Sequence, residues 1–128
     1  MNLLLDTHLL LWTVAQSLKL SQRARLSIAD TANTLFFSSA SIWEIAIKFA
    51  KGRPDFTVDP EILRQALLDD GYLELPIRSE HAIAVRRLPL LHNDPFDRIL
   101  IAQSAVEGFI LLTSDQTVAS YGGLIERV

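Results

Sequence analysis

Asp6, Glu44, Asp97 and Asp115 set the chemistry open to this chain, because three of them follow strand-like apolar runs and the fourth leads into one. Asp6 follows Asn2-Leu3-Leu4-Leu5, Glu44 lies one turn past Leu35-Phe36-Phe37-Ser38, and Asp115 follows Phe109 to Ser114. Asp97 opens the helix-like run Ile99-Leu100-Ile101-Ala102, which leads into that last strand. In an alternating strand–helix fold with parallel strands, the carboxyl ends of the strands share one edge, and ligands bind there. Acids scattered in sequence then become a cluster, and a carboxylate cluster suits a hard divalent cation.

Each acid also has a purely structural explanation. Asp6 and Asp115 read as helix N-caps, with Ser114 as the alternative cap at the last helix. Ser41-Ile42-Trp43-Glu44 fits a capping box, and Asp94-Pro95-Phe96-Asp97 fits a capped helix start. Losing a cap costs about 1 kcal/mol. Repulsion weighs more, since two unit charges about 5 Å apart at an effective dielectric of about 20 repel by roughly 3 kcal/mol. Capping gives no reason to gather several such pairs on one edge, whereas a bound cation does.

The elements that must position these acids follow from patterning. Strand Asn2–Leu5 runs into a helix from Thr7 to about Gln16, and Ser21 caps a second helix over Gln22–Asp30. Strand Leu35–Ser38 precedes a helix over Ile42–Lys51, opened by Ser41 and ended by Gly52 and Pro54. Asp59-Pro60 starts a helix that Gly71 ends, and Tyr72–Leu75 is a short strand. Ser79–Leu88 is a helix stopped by Pro89. Asp94-Pro95 starts the next helix, which Gly108 closes. Phe109–Thr113 is a continuous apolar strand of the kind buried on both faces. A short helix follows Asp115, and Leu124–Val128 is a final edge strand. Strands separated by helices of this length imply a parallel sheet between helical layers.

Bulk properties narrow the class. At 128 residues one domain, 1–128, is expected. The chain is 49% hydrophobic and 21% charged, enough for a real core and a solvated surface. A net charge of −3 argues against nucleic-acid binding driven by the whole surface, leaving room for a local basic strip. With no cysteine, disulfides and thiolate metal sites are excluded, which suits a reducing cytoplasm. Leu3 to Ala15 has the apolarity of a signal-peptide core. No Lys or Arg precedes it, however, and Asp6 and His8 interrupt it, so it reads as a buried strand entering a helix. No apolar run reaches the roughly 18 residues a membrane span needs.

Taken together, these motifs resemble those of PIN-domain endoribonucleases, and most closely the VapC-type toxins of toxin–antitoxin pairs. The resemblance covers essentially the whole chain. It rests on Leu5-Asp6-Thr7-His8, on Ser41-Ile42-Trp43-Glu44-Ile45-Ala46-Ile47-Lys48, on Leu88 through Gln103 with its core His92-Asn93-Asp94-Pro95-Phe96-Asp97-Arg98, and on Thr113-Ser114-Asp115. It implies a three-layer α/β/α sandwich around a parallel sheet. Asp6, Glu44, Asp97 and Asp115 match the family's four acidic positions, and Thr113 matches a hydroxyl position beside the last acid. Asp94 is an extra acid one turn before Asp97, either a cap or an added ligand.

The implied reaction is hydrolysis of an RNA phosphodiester with Mg²⁺ or Mn²⁺, the cation polarising the phosphoryl oxygen and lowering the pKa of a bound water. Asp6 and Asp97 are the foremost ligands, Asp115 follows, and Glu44 serves a second ion or positions the water. RNA phosphates need nearby positive charge, for which Lys48, Lys51 and Arg53 are the candidates, with Arg86-Arg87 as a further one. Lys48 reads equally as the i, i+4 partner of Glu44, and Arg98 as the structural partner of a nearby acid. His81 and His92 read as surface or loop residues, and Trp12 and Trp43 as core or interface. The resemblance further implies a small VapB-type antitoxin as partner and self-association as a homodimer. The apolar residues Leu9, Leu10, Trp12 and Val14 suit such contacts or, more simply, the core.

Three rival functions use a similar acidic edge. A phosphatase of this design carries a second Asp two residues after the first, where this chain has His8. A phosphoacceptor receiver, a regulatory domain without catalysis, pairs its acids with a Lys after a late strand, and none follows Phe109–Ser114. A nuclease acting on DNA shares the metal chemistry, and only a substrate comparison separates it.

Overall fold

A computed structural model describes residues 1–128. Five strands form one sheet: β1 (Asn2–Leu5), β2 (Thr34–Ser38), β3 (Leu73–Leu75), β4 (Ile110–Thr113) and β5 (Ile125–Arg127). Their order is β3-β2-β1-β4-β5, and every neighbouring pair is parallel. Seven helices accompany them: α1 (Thr7–Val14), α2 (Gln22–Ala29), α3 (Ser39–Ala50), α4 (Pro60–Asp69), α5 (Ser79–Ala84), α6 (Pro95–Glu107) and α7 (Gln116–Ala119). No helix is long and apolar enough to cross a membrane.

The continuous apolar strands are buried on both faces, as a parallel sheet between helices requires. Along β1, Leu3 and Leu5 join a core with Leu9 and Leu10 of α1, Ala24 of α2 and Leu63 and Leu67 of α4. Leu4 points the other way, to Leu100 and Ile101 of α6 and Val118 of α7. In β4 the same alternation sends Leu112 to the first core and Leu111 to the second. The result is the three-layer α/β/α arrangement. Burying each leucine contributes about 2 kcal/mol.

Topology places the site. The chain builds outward from β1 through β2 to β3, then returns to the other side of β1 for β4 and β5. The strand order therefore reverses between β1 and β4, the switch point where parallel sheets bind ligands. Asp6 directly follows β1, and Asp115 comes two residues after β4. The Asp6 amide donates to the Leu112 carbonyl at 3.0 Å, tying the two strand ends together.

Most boundaries shift by one or two residues from the sequence reading, and two shift by three or four. Helix α3 begins at Ser39, capped by the Ser38 hydroxyl, which accepts from the Ala40 amide. The capping box at Ser41 is not formed, because β2 runs straight into the helix without a loop. Ser41 is instead a buried residue of the first turns, and its hydroxyl accepts from Thr7 at 3.0 Å. The helix expected to reach Leu88 ends at Ala84, and a tighter 3-10 turn over Val85–Arg87 completes it.

Candidate active site

Asp6, Glu44, Asp94, Asp97 and Asp115 line one open cavity of about 420 Å³ at the carboxyl edge of the sheet. Lys48, His92, Ser114, His8 and Trp12 complete its wall. Four sequence-distant segments thus bring their acids to one place.

Asp6 and Asp115 are caps as well as cavity acids. Asp6 Oδ1 accepts from the Leu9 amide at 3.0 Å, and its Oδ2 accepts from the Thr113 hydroxyl, so both its oxygens are oriented. Asp115 Oδ1 accepts from the amides of Thr117 and Val118, and its own amide donates to Thr113 Oγ1 at 3.0 Å. Thr113, wholly buried, therefore links the two acids. Asp94 caps α6 through Oδ1, which accepts from Phe96 and Asp97 amides.

Glu44 and Asp97 cap nothing. Glu44 is 3% exposed; its Oε2 receives the Lys48 ammonium one turn along α3, while its buried Oε1 has no hydrogen-bond partner. Asp97, in the first turn of α6, takes a single side-chain partner, His92 Nε2 at 2.7 Å from its Oδ2.

Electrostatics join these groups. Burial raises the Asp6 carboxyl above its ordinary value, and the charge of Asp115 adds to this, against the pull of Thr113, the Leu9 amide and His8. Asp97 is pushed up to about 6, first by burial and then by the charge of Asp94, with Glu44 and Asp6 adding and the His92 hydrogen bond opposing. Negative charge is thus concentrated beyond what the lysine and histidines neutralise. The unpartnered Glu44 oxygen, the repelled Asp97 and a donor set rich in carboxylate oxygens all fit a hard divalent cation.

Other sequence expectations land elsewhere. Lys48 sits in the cavity wall and is the partner of Glu44. Lys51 and Arg53 lie on the exposed turn after α3 and do not line the cavity, because Gly52 (φ 69°) turns the chain away there. Arg98 is structural, but its partners are not acids: its guanidinium donates to the carbonyls of Pro89, Val85 and Leu88 and to the Tyr121 hydroxyl. His81 is fully buried rather than superficial. Trp12 stands half-buried at the cavity rim. Trp43, 60% exposed, lies edge-on to Phe96 at 5.1 Å, so it is no core residue. Leu9, Leu10 and Leu11 of α1 are core.

His92 is a loop residue, as the sequence reading has it, but that reading did not place it in the cavity wall. The donor atoms of His92, Asp94 and Asp97 lie within 4.8 Å of one another, forming the tightest group in the cavity. The available signal was the spacing His92-x-Asp94-x-x-Asp97 at a helix start, where a residue just before the cap can fold back over the first turn.

Residues 3–124 match the PIN domain family. The chain belongs to that family. No curated protein sequence matches it. Among solved structures, a chain of VapBC2 from Rickettsia felis, bound to a DNA fragment from its promoter, aligns with a TM-score of 0.72. The two are 13% identical over 99% of this chain and 98% of that one. A chain of the DNA-bound VapBC of Salmonella typhimurium aligns with a TM-score of 0.68, at 17% identity and the same coverage. VapBC-1 of nontypeable Haemophilus influenzae gives 0.65, at 16% identity over 94% and 92% of the two chains. At such identities the likeness establishes the shared fold.

Proposed function

We propose that this chain, acting as one domain over 1–128, is a divalent-cation-dependent endoribonuclease and the toxin of a cytoplasmic toxin–antitoxin pair. The observation that carries the reading is the gathering of Asp6, Glu44, Asp97 and Asp115 around one cavity at the sheet's switch point, in a chain of the PIN domain family.

In this reading Asp6, Asp97 and Asp115 hold Mg²⁺ or Mn²⁺, with Glu44 holding a second ion or orienting water. The bound cation supplies Lewis acidity to the phosphoryl group and acidifies the attacking water. The chain's own residues prepare this. Thr113 fixes Asp6, Asp94 sets the first turn that presents Asp97, and Lys48 holds one oxygen of Glu44 and leaves the other free. Water adds to phosphorus, the P–O ester bond breaks, and the leaving oxygen takes a proton. Lys48, with Lys51 and Arg53 beyond it, offers positive charge for RNA phosphates.

An apolar groove of about 440 Å³ opens beside the acids, lined by Trp43, Ile77, Val85, Phe96 and Ile99 among others. Trp43 precedes Glu44 and Phe96 precedes Asp97, so the groove and the acids share two helices. A small VapB-type antitoxin seated there reaches the cavity with a basic side chain. Self-association as a homodimer is part of the same proposal.

The test is Asp97→Asn, assayed on single-stranded RNA in Mg²⁺ or Mn²⁺. Cleavage falls at least about 100-fold while the circular dichroism spectrum stays native. Undiminished cleavage removes Asp97 from the mechanism, and cleavage of DNA in preference to RNA replaces the substrate.

A further inference from the structure

We infer that His92 is itself a ligand of the cation in the acid cavity, making the site a mixed oxygen–nitrogen site that prefers Mn²⁺ to Mg²⁺. This rests on the cation site proposed above and adds a ligand outside its four acids.

The first support is how the segment before α6 is held. The nearly buried Arg98 guanidinium grips the Pro89 carbonyl at 2.9 Å and the Val85 carbonyl at 3.2 Å. At the other end, Asp94 caps α6. The five residues from Pro89 to Asn93 are therefore anchored on both sides. Within them, side-chain directions run against hydropathy: Leu90 is 85% exposed and Leu91 51%, while the partly exposed imidazole of His92 lines the acid cavity beside Asp97. Core packing does not account for a loop that sends two leucines to solvent and a histidine to a cluster of acids. A donor set held in place before the ion arrives does.

The second support is geometric. His92 Nε2 lies 2.7 Å from Asp97 Oδ2, and with Asp94 these side chains hold their donor atoms within 4.8 Å of one another. Glu44, whose buried Oε1 no protein group satisfies, lines the same cavity. A neutral imidazole can move its proton to Nδ1 and offer Nε2 to the ion.

Chemistry then decides the preference. Mg²⁺ takes oxygen ligands and gives up water reluctantly, whereas imidazole suits first-row transition ions. An all-carboxylate site would treat Mg²⁺ and Mn²⁺ more evenly.

Electron spin-echo modulation of Mn²⁺ bound to the full chain tests this directly. The wild type is expected to show nitrogen coupling from a directly bonded imidazole. That coupling should change when histidine is labelled with ¹⁵N, vanish in His92→Gln and persist in His8→Gln. Mn²⁺ affinity should fall about tenfold or more in His92→Gln, with Mg²⁺ affinity much less affected. Bound Mn²⁺ without nitrogen coupling in the wild type, or coupling that depends on His8, overturns the inference and leaves the carboxylate site standing. If no Mn²⁺ binds at all, the cation site fails and the inference with it.

Discussion

Two histidine–carboxylate pairs take their carboxylates from opposite ends of one helix, α6. At its N-terminus His92 Nε2 meets Asp97 at 2.7 Å, and at its C-terminus His81 Nε2 meets Glu107 at 2.9 Å. Each pair has a second acid near enough to form a three-donor group, Asp94 in one and Glu80 in the other. By residue type they are alike. Their surroundings make them opposites. His81 Nδ1 accepts from the Arg78 amide at 3.0 Å, so its Nε2 must carry the proton and donate to Glu107. The Arg78 guanidinium also bonds both Glu80 and Glu107. The His81 hydrogen bond holds the Glu107 carboxyl below its ordinary value, with Arg78 assisting against desolvation. Both ring nitrogens of His81 are committed there, and the Arg78 guanidinium offsets the carboxylates. At the other end Asp97 is raised to about 6 by burial and by neighbouring acids. One end of the helix is a closed tie, and the other is short of positive charge. A cluster of ligating residues becomes a site when its lone pairs remain free and its charge remains unanswered.

The largest expected effect on this contrast is catalytic. Asp97→Asn abolishes RNA cleavage, whereas Glu107→Gln, assayed under the same conditions, cleaves within about twofold of the wild type, as is usual for a change away from the reacting centre. Equal losses in both variants would erase the distinction between the two ends.

Stability should show the reverse ranking. His81 is wholly buried, and His81→Ala strands the Arg78 amide and removes the neutral partner of Glu107, costing about 2–3 kcal/mol. Chemical denaturation measures it. His92→Ala, in a half-exposed loop, should cost less than about 1 kcal/mol.

A pH dependence sharpens the comparison further. Between about pH 4, where the unfolded carboxyl ionises, and about pH 6, folded Asp97 keeps a proton that the unfolded chain has lost. Stability of the cation-free protein from this group therefore falls as pH rises through that window. Asp97→Asn should flatten the decline, and an unchanged profile would contradict it. Glu107 has the opposite sign, since its lowered value favours the folded state above the ordinary glutamate range and loses that benefit as pH falls below it. Because the cation competes with the proton, Mn²⁺ at about 100 times its dissociation constant should raise the melting temperature by about 10 °C at pH 7.5, and by less at pH 5.

The sequence disclosed most of this fold for definite reasons. Asp59-Pro60, Asp94-Pro95, Gly71 and Gly108 are strong start and stop signals, and the uninterrupted apolar runs at β1 and β4 admit burial on both faces only. The acids of the cavity were legible because parallel strands leave one edge for them. The start of α3 was not, since Ser41-x-x-Glu44 satisfies the capping pattern while the real cap, Ser38, lies inside the strand. That shift frees Glu44 from a backbone amide and leaves its buried oxygen unpartnered. The partners of His81 and His92 were hidden for another reason. No helical or strand period relates His92 to Asp97 or His81 to Glu107; a loop pinned by Arg98 makes the first contact, and the packing of α5 on α6 makes the second.

The most direct test of the central claim is anomalous diffraction at the manganese edge from crystals of the full chain grown with Mn²⁺. The account predicts a peak in the acid cavity, at about 2.2 Å from oxygens of Asp97 and at least one of Asp6, Glu44 and Asp115. A peak confined to His81, Glu80 and Glu107, or no peak at saturating Mn²⁺, would contradict it.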